Sequence, residues 1–135
     1  MDKETRSLVW QRADGICEYC RLWQEHEPFV RFQVEHVIPT THIGSDDLNN
    51  LALACYFCNS HKSSNLTGID PKTKRITRLF NPRRQKWERH FRWKGVTIVG
   101  KTPVGRATIA VLGMNLADRI ALREILLDLG QWPYD

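Results

Sequence analysis

Two groups of residues in this 135-residue chain have types and spacing suited to chemistry. The first is a pair of C-x-x-C knuckles, Cys17-Glu18-Tyr19-Cys20 and Cys55-Tyr56-Phe57-Cys58. The second is Glu35-His36, which lies between the knuckles on the short segment Val34–Pro39. Four thiolates in two such pairs are the ligand set of a closed tetrahedral Zn²⁺ site. No coordination position is left for a substrate, so the predicted role of that metal is structural. A redox dithiol needs one pair and a βαβ context; this chain has two pairs and no such context. Simple zinc ribbons separate their pairs by about 15–20 residues. Here residues 21–54 intervene, so the metal clip encloses something.

Glu35 and His36 suit two different tasks. A carboxylate is a ligand for a hard cation such as Mg²⁺ or Mn²⁺. A histidine with a near-neutral pKa is a general base for water. Together they supply what phosphodiester hydrolysis needs: charge stabilisation on the phosphate and removal of a proton from the nucleophile. Asn59, fixed by the knuckle it follows, offers a neutral oxygen ligand. Lys62, three residues further along the same helical face, is expected to hold a phosphate. An acidic–histidine pair by itself is usually a surface or hydrogen-bonded pair. What points this pair to chemistry is the zinc frame, with Asn50, Asn59 and Lys62 around it. His61 is expected to be a bystander or a phosphate contact, and His42 to be solvated.

The elements that carry these residues follow from pattern. Residues 4–13 read as a helix stopped near Gly15. Residues 21–28 read as loop. Residues 29–35 read as a strand delivering Glu35 and His36 at its end, where the bend before Pro39 lets neighbours serve one site. A polar loop follows from Pro39, then a turn or short helix over 47–54, and a helix opening at Asn59. Beyond Leu66 the pattern predicts a turn over 67–71 and a short strand over 76–80. Residues 83–94 read as helix, then strand, turning at Gly95 into a second strand over 96–99. Thr102-Pro103 starts a helix ending near Gly113. Asn115, with Asp118 three residues on, is expected to cap the last helix. Its apolar stripe is Ile120, Leu122, Ile125, Leu126 and Leu129, and Gly130 and Pro133 mark its end. The stripe is expected to cover the core or to mediate dimerisation.

The enclosed segment resembles the HNH endonucleases of the ββα-metal type. The resemblance rests on Glu35-His36 at a strand end, Asn50-Leu51 in the intervening segment, and Cys58-Asn59-x-x-Lys62 opening a helix. It covers about residues 14–65, and both cysteine pairs sit where small standalone zinc-stapled members carry theirs. The resemblance implies an α+β fold with a ββα core, flanked by an N-terminal helix and a C-terminal strand and helix extension. It implies His36 as general base, and Glu35 and Asn59 as ligands of a catalytic divalent cation. It also implies that Asn50 bonds the backbone, holding the loop and orienting His36. Glu35 stands where the family often has Asp. Asn59 in place of His puts the chain in the H-N-N subgroup and favours Mg²⁺ or Mn²⁺. The partner implied is double-stranded DNA, entered from the minor groove.

Bulk properties agree with such a partner without requiring it. Lys and Arg number 20 against 15 Asp and Glu, for a net charge of +5 and a pI near 9.2, which suits a polyanion. Within the stretch 83–94, Arg83, Arg84 and Lys86 are candidate nucleic-acid contacts, while its aromatics are expected mostly in the core. No stretch approaches a membrane span and the N-terminus has no signal-peptide pattern, so a cytoplasmic, non-membrane protein is expected. The expectation is one domain over 1–135, monomeric or homodimeric, with the core at about 14–65 and the extension at 66–135. The sequence leaves open two rivals: a non-catalytic zinc-stabilised nucleic-acid-binding module, and a ribonuclease with the same chemistry.

Overall fold

The computed structural model describes residues 1–132; Pro133 lies outside them. Helix α1 (Lys3–Ala13) is capped by Asp2, whose carboxylate accepts from the Thr5 N–H at 2.8 Å, and ends at Asp14 in the left-handed conformation. Val9 is its buried residue, and Trp10 stacks on Phe32. The first knuckle follows, with residues 17–20 all buried.

Strands β1 (Gln33–His36) and β2 (Leu51–Ala54) pair antiparallel, with Glu35 opposite Ala52 and His36 opposite Leu51. Helix α2 (Tyr56–Lys62) completes a ββα unit. β1 starts later than expected: residues 29–32 lie outside it and Phe29 is exposed. β2 was expected as a turn or short helix. A single tight turn over 48–50 precedes it, and all four of its residues are buried. A short unbroken apolar run carries no alternation, so periodicity cannot tell such a strand from a buried helical turn. α2 begins three residues before Asn59, because the Cys55 sulfur caps it by accepting from the Cys58 N–H at 3.4 Å. The second cysteine knuckle and the helix start are thus one structure.

The extension contains hairpin β3 (Thr67–Ile69) and β4 (Ile76–Arg78), the single-turn α3 (Trp87–His90), hairpin β5 (Phe91–Lys94) and β6 (Thr97–Gly100), and helices α4 (Pro103–Leu112) and α5 (Ala117–Asp128). The 67–71 segment, expected as a turn, is mostly strand. The reversal falls after it, where buried Asp70 accepts from the Lys72 N–H and the Thr73 hydroxyl and receives both guanidinium bonds of Arg106 at 2.9 Å. Trp87 and Phe91 are core residues, and Trp87 donates its indole N–H to the Tyr19 carbonyl at 2.7 Å. That bond ties the extension to the first knuckle. Thr102 caps α4 as expected.

Asn115 does not cap α5. Its side chain instead accepts from the Ile98 N–H and donates to the Ile98 carbonyl, at 3.0 and 2.7 Å, and Leu116 precedes the helix with no side-chain cap. The expected stripe on α5 is also only partly inward. Leu126 is buried, but Ile125 and Leu129 are exposed. The inward positions are Arg119, Arg123 and Leu126. Arg123 fits there because carbonyls surround it: Val96 and Met114 accept from its guanidinium at 2.9 and 2.7 Å. Among the described residues no helix is long and apolar enough to cross a membrane.

Candidate active site and metal centre

The two knuckles bring Cys17, Cys20, Cys55 and Cys58 together, all buried, with their sulfurs within 4.8 Å of one another. The Cys20–Cys55 separation is 3.7 Å. A tetrahedron with Zn–S bonds of about 2.3 Å has S–S edges of ~3.8 Å, so the cluster has the size of a zinc tetrathiolate. Four thiolates held this close need a cation among them. Burial pushes the Cys17 thiol well up, and contact with the other three sulfurs pushes Cys58 up, so these groups resist ionising together. The donor set and its size fit a structural Zn²⁺.

His36 ends β1, with its side chain a quarter exposed. Its Nε2 lies 2.6 Å from Asp46 Oδ1. The bond from His36 holds the Asp46 carboxyl below the usual carboxylate range, so Asp46 is an anion at neutral pH. A carboxylate can only accept, which assigns the shared proton to Nε2 and leaves the lone pair of the neutral ring on Nδ1. Asn50 holds this arrangement. Its side chain accepts from the Ile38 N–H at 2.8 Å and donates to the carbonyls of Ile38 and Ser45 at 3.0 and 2.8 Å. Its own carbonyl accepts from the Val37 N–H. One amide thus joins the strand end carrying His36 to the loop carrying Asp46. Gly44 packs so close to the Ile38 carbonyl that a side chain there would overlap it.

Glu35 departs from the expected role. It faces the opposite side of β1 from His36 and is buried. Oε1 accepts from the Tyr19 hydroxyl, and Oε2 accepts from Lys62 Nζ at 3.1 Å. Burial raises its pKa, with Lys62 and Tyr19 opposing. Lys62 departs too. It is 2% exposed and spends its three protons on Glu35 and on the His36 and Val37 carbonyls, at 3.1, 3.3 and 2.9 Å. Helical spacing put Lys62 on the face toward β1 but could not say that this face is closed to solvent. A cation on Glu35 would have to displace Lys62 from a carboxylate shut away from water. The Glu35–Asn59 pair therefore does not fit a catalytic divalent ion. Asn59 itself is half-buried, one turn before Lys62 on α2, and its amide has no hydrogen-bond partner among the described residues.

The basic residues also divide. Arg83 is held in an ion pair with Glu18, whose other oxygen accepts from the Leu53 N–H, so Arg83 braces the first knuckle instead of facing solvent. Arg84 and Lys86 are exposed. Arg84 also lines a cavity of about 170 Å³ beside Val37 and Ile38, together with Asn65, Arg78 and Gln85. His61 bonds the Phe57 carbonyl within its own helix. His42 is exposed, as expected, and its ring also contacts the Ser64 carbonyl at 3.1 Å. Asp46 and Arg78 carry no motif that would single them out in the sequence. Asp46 is one acid in a polar loop with no periodicity, and only the closure of that loop by Asn50 brings it to His36.

Residues 17–65 match the family model described as HNH endonuclease. Searches of curated proteins and of solved structures gave no significant match.

Proposed function

We propose that this chain, whose residues 17–65 form an HNH endonuclease domain, hydrolyses phosphodiester bonds of double-stranded DNA with His36 as the general base. The observation that carries this reading is the His36–Asp46 pair at the open end of β1. Nδ1 of His36 takes a proton from water, the hydroxide oxygen bonds to phosphorus, and the bond to the leaving oxygen breaks. Asp46 fixes the ring tautomer and stabilises the imidazolium as it forms, as the carboxylate of a catalytic triad does. Mg²⁺ or Mn²⁺ would supply charge stabilisation on the phosphate when bound; with Glu35 engaged by Lys62, the Asn59 amide oxygen is the one expected ligand left open, and by itself it does not make a cation site. Glu35 has no part in these steps and acts as the buried partner of Lys62.

The backbone of the nucleic acid is assigned to the surface formed by Arg78, Arg84 and Lys86. These residues lie outside the ion pairs that hold Arg83 and Lys62, so their charge is available to phosphates. A second reading, a binding module without catalysis, draws on the withdrawal of Glu35 from the site. Cleavage of plasmid DNA and of RNA with Mg²⁺ or Mn²⁺ separates the readings. Metal-dependent cutting of plasmid supports the nuclease. Cutting of RNA alone makes it a ribonuclease, and tight binding without cutting leaves the module.

A further inference from the structure

Arg119 on α5 reaches the cysteine cluster. Its Nη2 lies 3.1 Å from the Cys20 sulfur, 3.5 Å from Cys55 and 3.9 Å from Cys58. The residue is 4% exposed, and its guanidinium carbon sits 4.8 Å from the centroid of the Phe57 ring, inside the second knuckle. Among the described residues no carboxylate forms an ion pair with it, and Nη1 is buried without a hydrogen-bond partner. A buried guanidinium needs a counter-charge, since an unpaired buried charge is strongly destabilising. Among the described residues the sulfurs are the acceptors its side chain meets, and as neutral thiols they accept only weakly.

Zinc resolves both deficits. Four thiolates around Zn²⁺ leave a net charge of two minus, spread over the sulfurs that Arg119 touches. We propose that Arg119 is the charge partner of the zinc tetrathiolate, so that α5 docks on the metal centre and the C-terminal extension is held by the metal. The inward face of α5 follows from this. A helix lying on hydrocarbon would turn Ile125 and Leu129 inward; this one turns Arg119 inward and leaves them exposed. Arg119 is a positioning residue. It stabilises the thiolate state of the ligands and takes no part in hydrolysis.

The inference rests on zinc at the four cysteines, so its test begins with elemental analysis of the wild type, Arg119→Gln and Arg119→Lys. Absence of zinc from the wild type refutes the metal site itself. With zinc present, transfer to a chromogenic chelator is timed. Arg119→Gln is expected to release zinc about 10–100-fold faster, the usual effect of losing an outer partner of a metal ligand. Arg119→Lys, which keeps the charge, is expected to fall between it and the wild type. In cobalt-substituted protein the sulfur-to-metal charge-transfer band of Arg119→Gln should move to lower energy, because the sulfurs have lost a donor. Release rates and spectra equal to wild type overturn the proposal, as does equal acceleration in both variants, which would indicate packing and not charge. If Arg119→Gln does not fold, cadmium-113-substituted wild type decides. Coupling between the metal and slowed guanidinium protons supports the bond, and its absence overturns it.

Discussion

Replacing Lys62 with Met separates a structural lysine from a phosphate-binding one. Nζ of Lys62 lies within 3.3 Å of three acceptors: Glu35 Oε2 and the carbonyls of Val37 and His36. Both ends of the ion pair are 5% exposed or less. Removing one partner leaves the carboxylate of Glu35 buried with only the Tyr19 hydroxyl, a change that costs about 3–5 kcal/mol. For a chain of this length, a loss of that size lowers the melting temperature by about 10–20 °C. The double variant Lys62→Met with Glu35→Met buries no charge and should recover most of the loss, giving a coupling of about 2–3 kcal/mol in a double-mutant cycle. Urea denaturation of the four proteins, with zinc content checked in each, provides the energies. A phosphate-binding Lys62 would behave differently: its removal would cost under ~1 kcal/mol and reduce the salt slope of DNA binding by about one. That outcome, with a coupling near zero, refutes the buried pair.

Three further predictions concern the metal, the base and the extension. Cys55→Ser, or stripping of zinc by a chelator, should abolish cooperative unfolding, because structural zinc contributes an apparent ~10–16 kcal/mol in small domains; loss of the near-ultraviolet circular dichroism signal reports it. Asp46→Asn should lower cleavage about tenfold, or about 1.4 kcal/mol of barrier, and move the acidic limb of the pH–rate profile, which the general base sets, while binding affinity stays unchanged. Arg106 holds the Asp70 carboxyl well below the usual carboxylate range. A depressed folded-state value stabilises the protein above the unfolded value of about 3.9 and loses that contribution as pH falls through the range below it. Asp70→Asn should therefore be less stable than wild type at neutral pH, and the gap should narrow below about pH 4 in acid-denaturation curves.

What the sequence revealed depended on how local the signal was. The cysteine clip was legible because ligand type and spacing are local properties, and the structure brings all four sulfurs together. The Thr102-Pro103 helix start was legible for the same reason. Glu35 and Lys62 were singled out in the sequence, one as a metal ligand and the other as a phosphate contact, but not as partners. Their burial depends on Tyr19, which arrives from 16 residues upstream of Glu35. β2 was hidden because both of its faces are covered. α5 misled because its apolar residues suggested an inward face, whereas the surface beneath it offers sulfur and carbonyl groups. Asn50 was legible through the resemblance and bonds the backbone as implied, whereas Asp46 reaches His36 only by loop closure, for which the chain carries no periodic signature.

The direct test of the proposed chemistry is the rate of plasmid nicking by His36→Ala against wild type, at saturating Mg²⁺ or Mn²⁺ and equal zinc content. His36 sits at the strand end with its ring partly in solvent, and its removal breaks no buried bond of its side chain, so the variant should fold. The prediction is a fall of about 10²–10⁴-fold with retained DNA binding. A variant that cuts as fast as wild type would contradict the assignment of His36 as the base, and a wild type that binds DNA without ever cutting it would contradict the enzyme.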